Sequence, residues 1–168
     1  MTRKRLFLFL LALLPLVMVS CGDDDDDDLM GKWYRVSDFD GLARSDASSF
    51  SIGNKGYLVC GYDGTNRLSD LWEYDMDRDS WTQKATFPGT ARNSGVAMTV
   101  DSKGYFGTGY DGANKLNDFW EYDPTANNWT QKADFPGTAR YDAVAFGVSG
   151  KAYIGCGYDG NYLKDFYA

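Results

Sequence analysis

The stretch Trp81 to Gly112, WTQKATFPGTARNSGVAMTVDSKGYFGTGYDG, returns 48 positions later as Trp129 to Gly160, with 21 of the 32 positions identical and no gap. The same step carries Trp33 onto Trp81, Phe39 onto Phe87, Arg44 onto Arg92 and Gly61-Tyr62-Asp63-Gly64 onto Gly109-Tyr110-Asp111-Gly112. A repeat of this length, imposed on a whole chain, limits it to architectures built from one supersecondary unit stacked on itself.

Within one period, turn chemistry separates four short segments rich in aromatic, β-branched or small residues, none long enough for a helix. In the second unit the expected strands are Ser94 to Val100, Gly104 to Tyr110, Asp118 to Asp123 and Trp129 to Ala133. Phe135-Pro136-Gly137-Thr138 suits a type II turn, because Pro presets the second position and Gly supplies the positive φ of the third. Each period is expected to be one four-stranded antiparallel sheet that buries its faces against neighbouring units. Gly at alternate places in the second strand is expected where sheets converge on an axis.

These residues resemble kelch repeats. A kelch unit has an Arg leading its first strand, a Tyr in the second followed by a Gly doublet, a Tyr-Asp near the end of the third and a Trp opening the fourth. Here Arg44, Tyr57, Gly61, Tyr74-Asp75 and Trp81 stand in that order, and Arg92, Tyr105, Gly109, Tyr122-Asp123 and Trp129 repeat it. The first Gly of the doublet is replaced by Cys60, Thr108 and Cys156. The resemblance covers Lys32 to the end and implies an all-β fold of kelch-type β-propeller blades, with no function named by the fold.

Residues 32–39 align with a fourth strand, and the last unit stops after the start of its third. In propellers of this kind an N-terminal strand often completes the last blade, which implies the same role for residues 32–39. The units run approximately 44–87, 92–135 and 140–168. Three blades are fewer than the usual 4–8 of a closed ring. Truncation of a parent with about six repeats comes first among the explanations, followed by a homodimer completing a propeller, then an open array with hazardous exposed edges.

Ahead of the repeats, Arg3, Lys4 and Arg5 precede an apolar run from Leu6 to Val19. That pattern reads as a secretory signal over residues 1–20. Met18-Val19-Ser20-Cys21 resembles a bacterial lipobox, which implies acylation of Cys21 and a lipid bilayer as partner. Residues 21–31 then form an acidic tether carrying Asp23 to Asp28, where repulsion keeps the chain extended. By resemblance to surface-export signals, this segment implies an outer-membrane lipoprotein at the cell surface, otherwise on the periplasmic face. Net charge is −7 for the whole chain and about −4 for the repeat region alone, which offers no footprint for nucleic acid.

The chain has no histidine. This excludes Ser-His and Cys-His nucleophile pairs and the histidine-ligated copper site of galactose oxidase, a kelch-like enzyme. No cofactor is expected. Three cysteines, one of them Cys21, do not make a zinc site. Cys60 and Cys156 are expected as small buried residues in place of Gly, too far apart for a disulfide. Asp75-Met76-Asp77-Arg78-Asp79 has alternating carboxylates but lacks the Gly and the closing acid of a calcium loop, and reads as a turn.

Arg44, Arg92 and Arg140, with Glu73 and Glu121 and the repeated Trp81 and Trp129, are read as blade-building residues, Arg and Glu pairing between strands. Positions that differ between units are the candidates for ligand binding: Ser45, Asp46, Asn93, Ser94, Tyr141 and Asp142, at the entry to each innermost strand near one mouth of the channel. Loop residues Asn66, Arg67, Asn114, Lys115, Asn161 and Tyr162 vary as well. The expected function is a membrane-anchored binding module for a carbohydrate or protein. The alternatives are a sugar-active enzyme resembling sialic-acid mutarotases, or a truncated propeller without independent function.

Overall fold

The computed structural model describes residues 33–168, and the signal segment, Cys21 and the acidic tether lie outside the described residues. A compact unit runs from Val36 to Ala168. It consists of three antiparallel sheets, and its strands follow the 48-residue step.

Blade one is β1 (Ser48–Ile52), β2 (Lys55–Val59), β3 (Leu71–Asp75) and β4 (Ser80–Gln83), paired in chain order. Blade two repeats it with β5 (Val96–Val100), β6 (Lys103–Gly107), β7 (Phe119–Asp123) and β8 (Asn128–Gln131). Blade three has β9 (Val144–Val148), β10 (Lys151–Gly155) and the short β11 (Phe166–Tyr167). Neighbouring blades meet through their first strands, β1 beside β5 and β5 beside β9, and the three sheets do not close into a ring.

The second strand is shorter than expected because Thr108 (φ 57°) and Gly109 (φ 104°) turn the chain into the left-handed region immediately after β6. The same conformation at Cys60 (φ 62°) and Cys156 (φ 58°) explains the Gly of the kelch doublet. Both cysteines are free, and burial pushes the Cys60 thiol up to about 12.

Two cores lie between the blades. Phe50, Tyr57, Val59, Leu71, Phe87, Phe106 and Tyr122 fill the first, and Val96, Met98, Phe135 and Ile154 the second. Phe50 stacks on Tyr57 with ring centroids 4.8 Å apart, and Tyr122 closes over both. The glycine of the second strand answers to this packing and not to crowding at an axis: a Cβ on Gly104 would run into the Phe50 ring of the preceding blade.

The N-terminal segment differs from expectation. Residues 33–39 form no strand, and blade three keeps three strands. Instead the Ser37 N–H donates to Asp79 Oδ1 (2.9 Å), and Phe39 packs edge-on against Trp72 and Trp81 at 5.3 and 4.9 Å. One step later, the Ala85 N–H donates to Asn127 Oδ1 (2.9 Å), and Phe87 meets Trp120 and Trp129 in the same way. Residues 37–39 thus contact blade one as residues 85–87 contact blade two, and no N-terminal strand completes blade three within the chain.

Candidate functional site

The three Gly-Tyr-Asp-Gly turns lie at the end of the blades where the chain enters each first strand. In each turn the Asp carboxylate caps the loop. Asp63 Oδ1 accepts from the N–H groups of Thr65 (2.8 Å) and Asn66 (2.6 Å), and Asp111 does the same with Ala113 and Asn114. These bonds hold both carboxyls below the usual range. Isolated β-bridges then align three residues per blade: Ser45, Tyr62 and Arg67 in blade one, Asn93, Tyr110 and Lys115 in blade two, Tyr141, Tyr158 and Tyr162 in blade three.

The middle position is always tyrosine; the flanks change. Arg67 lies over Tyr62 at 5.2 Å and over Tyr110 of the next blade at 4.9 Å, and its Nε donates to Asn93 Oδ1 (2.9 Å). Lys115 reaches Tyr158 at 5.9 Å. The third loop is one residue shorter, and Tyr162 stands where the others carry a cation. Rings therefore run on continuously, Tyr110 to Tyr141 at 5.5 Å, Tyr141 to Tyr158 at 5.6 Å and Tyr158 to Tyr162 at 5.3 Å. They border a cleft of about 530 Å³ lined by Tyr141, Asp142, Gly157, Tyr158, Tyr162 and Leu163 with Cys156.

Of the sequence candidates, Tyr141 and Asp142 line this cleft. The other four form a polar ledge beside it, where Asn93 Nδ2 lies 3.5 Å from Asp46 Oδ2 and 3.3 Å from Ser94 Oγ, and the Ser45 hydroxyl lies 3.3 Å from Asp46. Asp46, Ser94 and Asp142 share φ near 55° (55°, 55° and 53°), and each step links blade to blade: the Ser94 N–H donates to the Asp46 carbonyl (2.9 Å) and the Asp142 N–H to the Ser94 carbonyl (3.0 Å). Non-glycine residues held in this region cost about 1–3 kcal/mol each and gather at functional sites. Sequence reasoning passed over Tyr62, Tyr110 and Tyr158, which are identical in every unit. The signal that could have found them was the shortened loop that brings Tyr162 into their row.

The repeated charged residues lie elsewhere. Arg92 and Arg140 are fully buried, and all three arginines grip an aspartate with two nitrogens, Arg44 with Asp70, Arg92 with Asp118 and Arg140 with Asp165. Each also donates to the carbonyl of Cys60, Thr108 or Cys156 and lies 4.9 Å over a phenylalanine ring. The expected Arg-Glu pairing is thus an Arg-Asp pairing. Glu73 accepts from the hydroxyl of Tyr57 (2.7 Å) and from Lys55 (2.7 Å), and Glu121 from Tyr105 (2.8 Å) with Lys132 at 2.8 Å. Burial, reinforced by that carboxylate, pushes the Tyr105 hydroxyl up to about 12. Asp75 Oδ1 accepts from the N–H groups of Asp77 and Arg78, which makes the acidic segment a capped turn.

Chemically, the cleft offers flat aromatic faces, tyrosine hydroxyls and one carboxylate. Such a surface holds a ligand that is part apolar and part hydroxylated. Comparison of the chain with curated proteins returns no match. Residues 43–168 match the family described as the KLHDC2/KLHL20/DRC7 Kelch-repeats domain; with the order of strands and the repeated Arg, Tyr and Trp, the chain belongs to this kelch-repeat family.

Proposed function

We propose that this chain is a lipid-anchored binding module that holds a carbohydrate in the tyrosine-lined cleft of its third blade. The observation that carries the reading is the unbroken row from Tyr110 through Tyr141 and Tyr158 to Tyr162 beside Asp142. Tyrosine rings present apolar faces to the C–H side of a sugar ring and hydroxyl tips to its edge. The Asp142 carboxylate accepts from sugar hydroxyls, and the solvent-facing cleft admits a chain end without a lid. The lipobox-like segment ending at Cys21 and the acidic run after it support display from the outer membrane on a tether, at the cell surface.

The test is a glycan screen followed by calorimetry with the full chain in detergent. Tyr162 is 93% exposed, so Tyr162→Ala leaves the fold intact while removing one wall of the cleft. The expected result is a glycan ligand whose affinity falls about tenfold or more in that variant, equivalent to about 1.4 kcal/mol. Absence of glycan binding, or binding indifferent to Tyr162→Ala and Tyr158→Ala, contradicts the reading; a peptide ligand sensitive to both substitutions moves it to protein recognition.

A further inference from the structure

Between blades one and two the contact is a knob in a socket. Phe50, 7% exposed and stacked on Tyr57, projects over Gly104, whose missing side chain makes the room, and Tyr122 walls the hollow. The 48-residue step carries each part outward to an uncovered face. On blade three, Phe146 occupies the Phe50 position and stacks on Tyr153 at 5.3 Å with the rings 15° apart, yet it is 48% exposed. Val144 and Val148 flank it at 50% and 51%, whereas in blade two Val96 and Met98, at the places of Val144 and Phe146, are each 4% exposed. On blade one, Gly56 occupies the Gly104 position. A Cβ there would meet nothing nearer than Tyr74 Cβ at 3.9 Å, and a hollow of about 460 Å³ opens between Ser49, Gly56, Leu58, Tyr74 and Trp81.

We propose that blade three of this chain docks on blade one of a second copy, Phe146 seating over Gly56, and that the contact made twice closes one ring of six blades. The occupant is a second copy because both halves of the interface that joins blade one to blade two stand open on the same molecule. The polar pairings continue in the same way. Thr99 Oγ1 donates to the Ser51 carbonyl (2.6 Å) between blades one and two; Ser51 of the second copy takes the Thr99 position, opposite the Gly147 carbonyl. The Asp46 N–H of the second copy likewise takes the role that Ser94 and Asp142 play within the chain. The ring also sets the second copy's Tyr62 beside Tyr162, as Tyr110 stands beside Arg67, and completes the mouth. A head-to-tail contact of this kind gives a ring if the rotation closes and a filament if it does not.

The experiment is the protein mass of the full chain in detergent, from light scattering corrected for bound detergent. The wild-type chain is expected as a dimer and both Phe146→Asp and Gly56→Leu as monomers, with circular dichroism verifying that each variant is folded. Gly56→Leu guards against a folding artefact, because its side chain enters empty space in the single molecule. An equimolar mixture of the two variants keeps one intact knob facing one intact socket, and a fraction of it regains dimer mass. Tyr162→Ala is expected to remain a dimer, so loss of glycan binding and loss of docking are read separately. A monomeric wild type, an open series of larger species, or a dimer untouched by both substitutions overturns the proposal.

Discussion

Blades two and three have nearly the same sequence pattern and different surroundings. Val96 and Met98 of β5 are buried because β9 covers them, while Val144 and Phe146 of β9 face solvent with the same alternation. Apolar alternation along a strand therefore says which face can be buried, and only a neighbour decides that it is. The mouth makes the same point in the opposite sense. Tyr110 is held beneath the guanidinium of Arg67, whereas the corresponding end of blade three carries Tyr162, which nothing covers. Blade two is covered on both sides, by β1 and by β9, whereas the outward face of β9 is open.

The comparison is broken most severely through the buried arginines. Arg92→Ala leaves Asp118 without its partner and is expected to cost about 3–5 kcal/mol in urea unfolding; Arg140→Ala costs less, because the Asp165 side chain is 36% exposed against 24% for Asp118. Acid sharpens this pair. Burial raises the Asp118 carboxyl, but the Arg92 guanidinium and the Trp120 N–H more than offset it and hold it below its ordinary 3.8. Its stabilisation is complete above that value and is lost as pH falls through the lowered folded one, a loss the Arg92→Ala variant no longer shows.

Next in size, Gly104→Val is expected to destabilise by about 1–3 kcal/mol, since a side chain there meets the Phe50 ring. Gly56→Val, at the equivalent place on the open face, is expected to leave the unfolding midpoint of the dilute chain unchanged or raised. Equal effects at the two glycines would erase the distinction between covered and open faces. The smallest effect belongs to Thr108, a β-branched residue at φ 57° whose buried Oγ1 has no hydrogen-bond partner. Thr108→Gly relieves both and is expected to raise stability by about 1 kcal/mol in the same assay.

Most of the blade was legible in the sequence. The aromatic third strand and the Trp opening the fourth place the strands of each sheet to within a few residues, because strand chemistry acts locally; the Pro-Gly segments are not the expected type II turns, since neither Gly89 nor Gly137 has a positive φ. The N-terminal strand was not, because alignment with a fourth strand supplies no neighbouring strand to pair with, and residues 33–39 form none. Tyr141 and Asp142 were legible as positions that differ between units. The tyrosines of Gly-Tyr-Asp-Gly were not, because an invariant residue becomes part of a site only through variable neighbours, here Tyr141 and Tyr162. Of the aspartates opposite the arginines, Asp70 and Asp118 keep the 48-residue register, and the one-residue deletion shifts only Asp165 out of it.

The account stands on the claim that the open face of blade three is the interior interface left unfilled, and the melting midpoint measured against chain concentration tests it most directly. Binding of a second copy to the folded state alone must raise the midpoint as concentration rises. The account predicts that rise for the wild-type chain and a flat line for Phe146→Ala at the dilute wild-type value. A flat wild-type line, or a Phe146→Ala variant that rises in parallel with it, would contradict the claim.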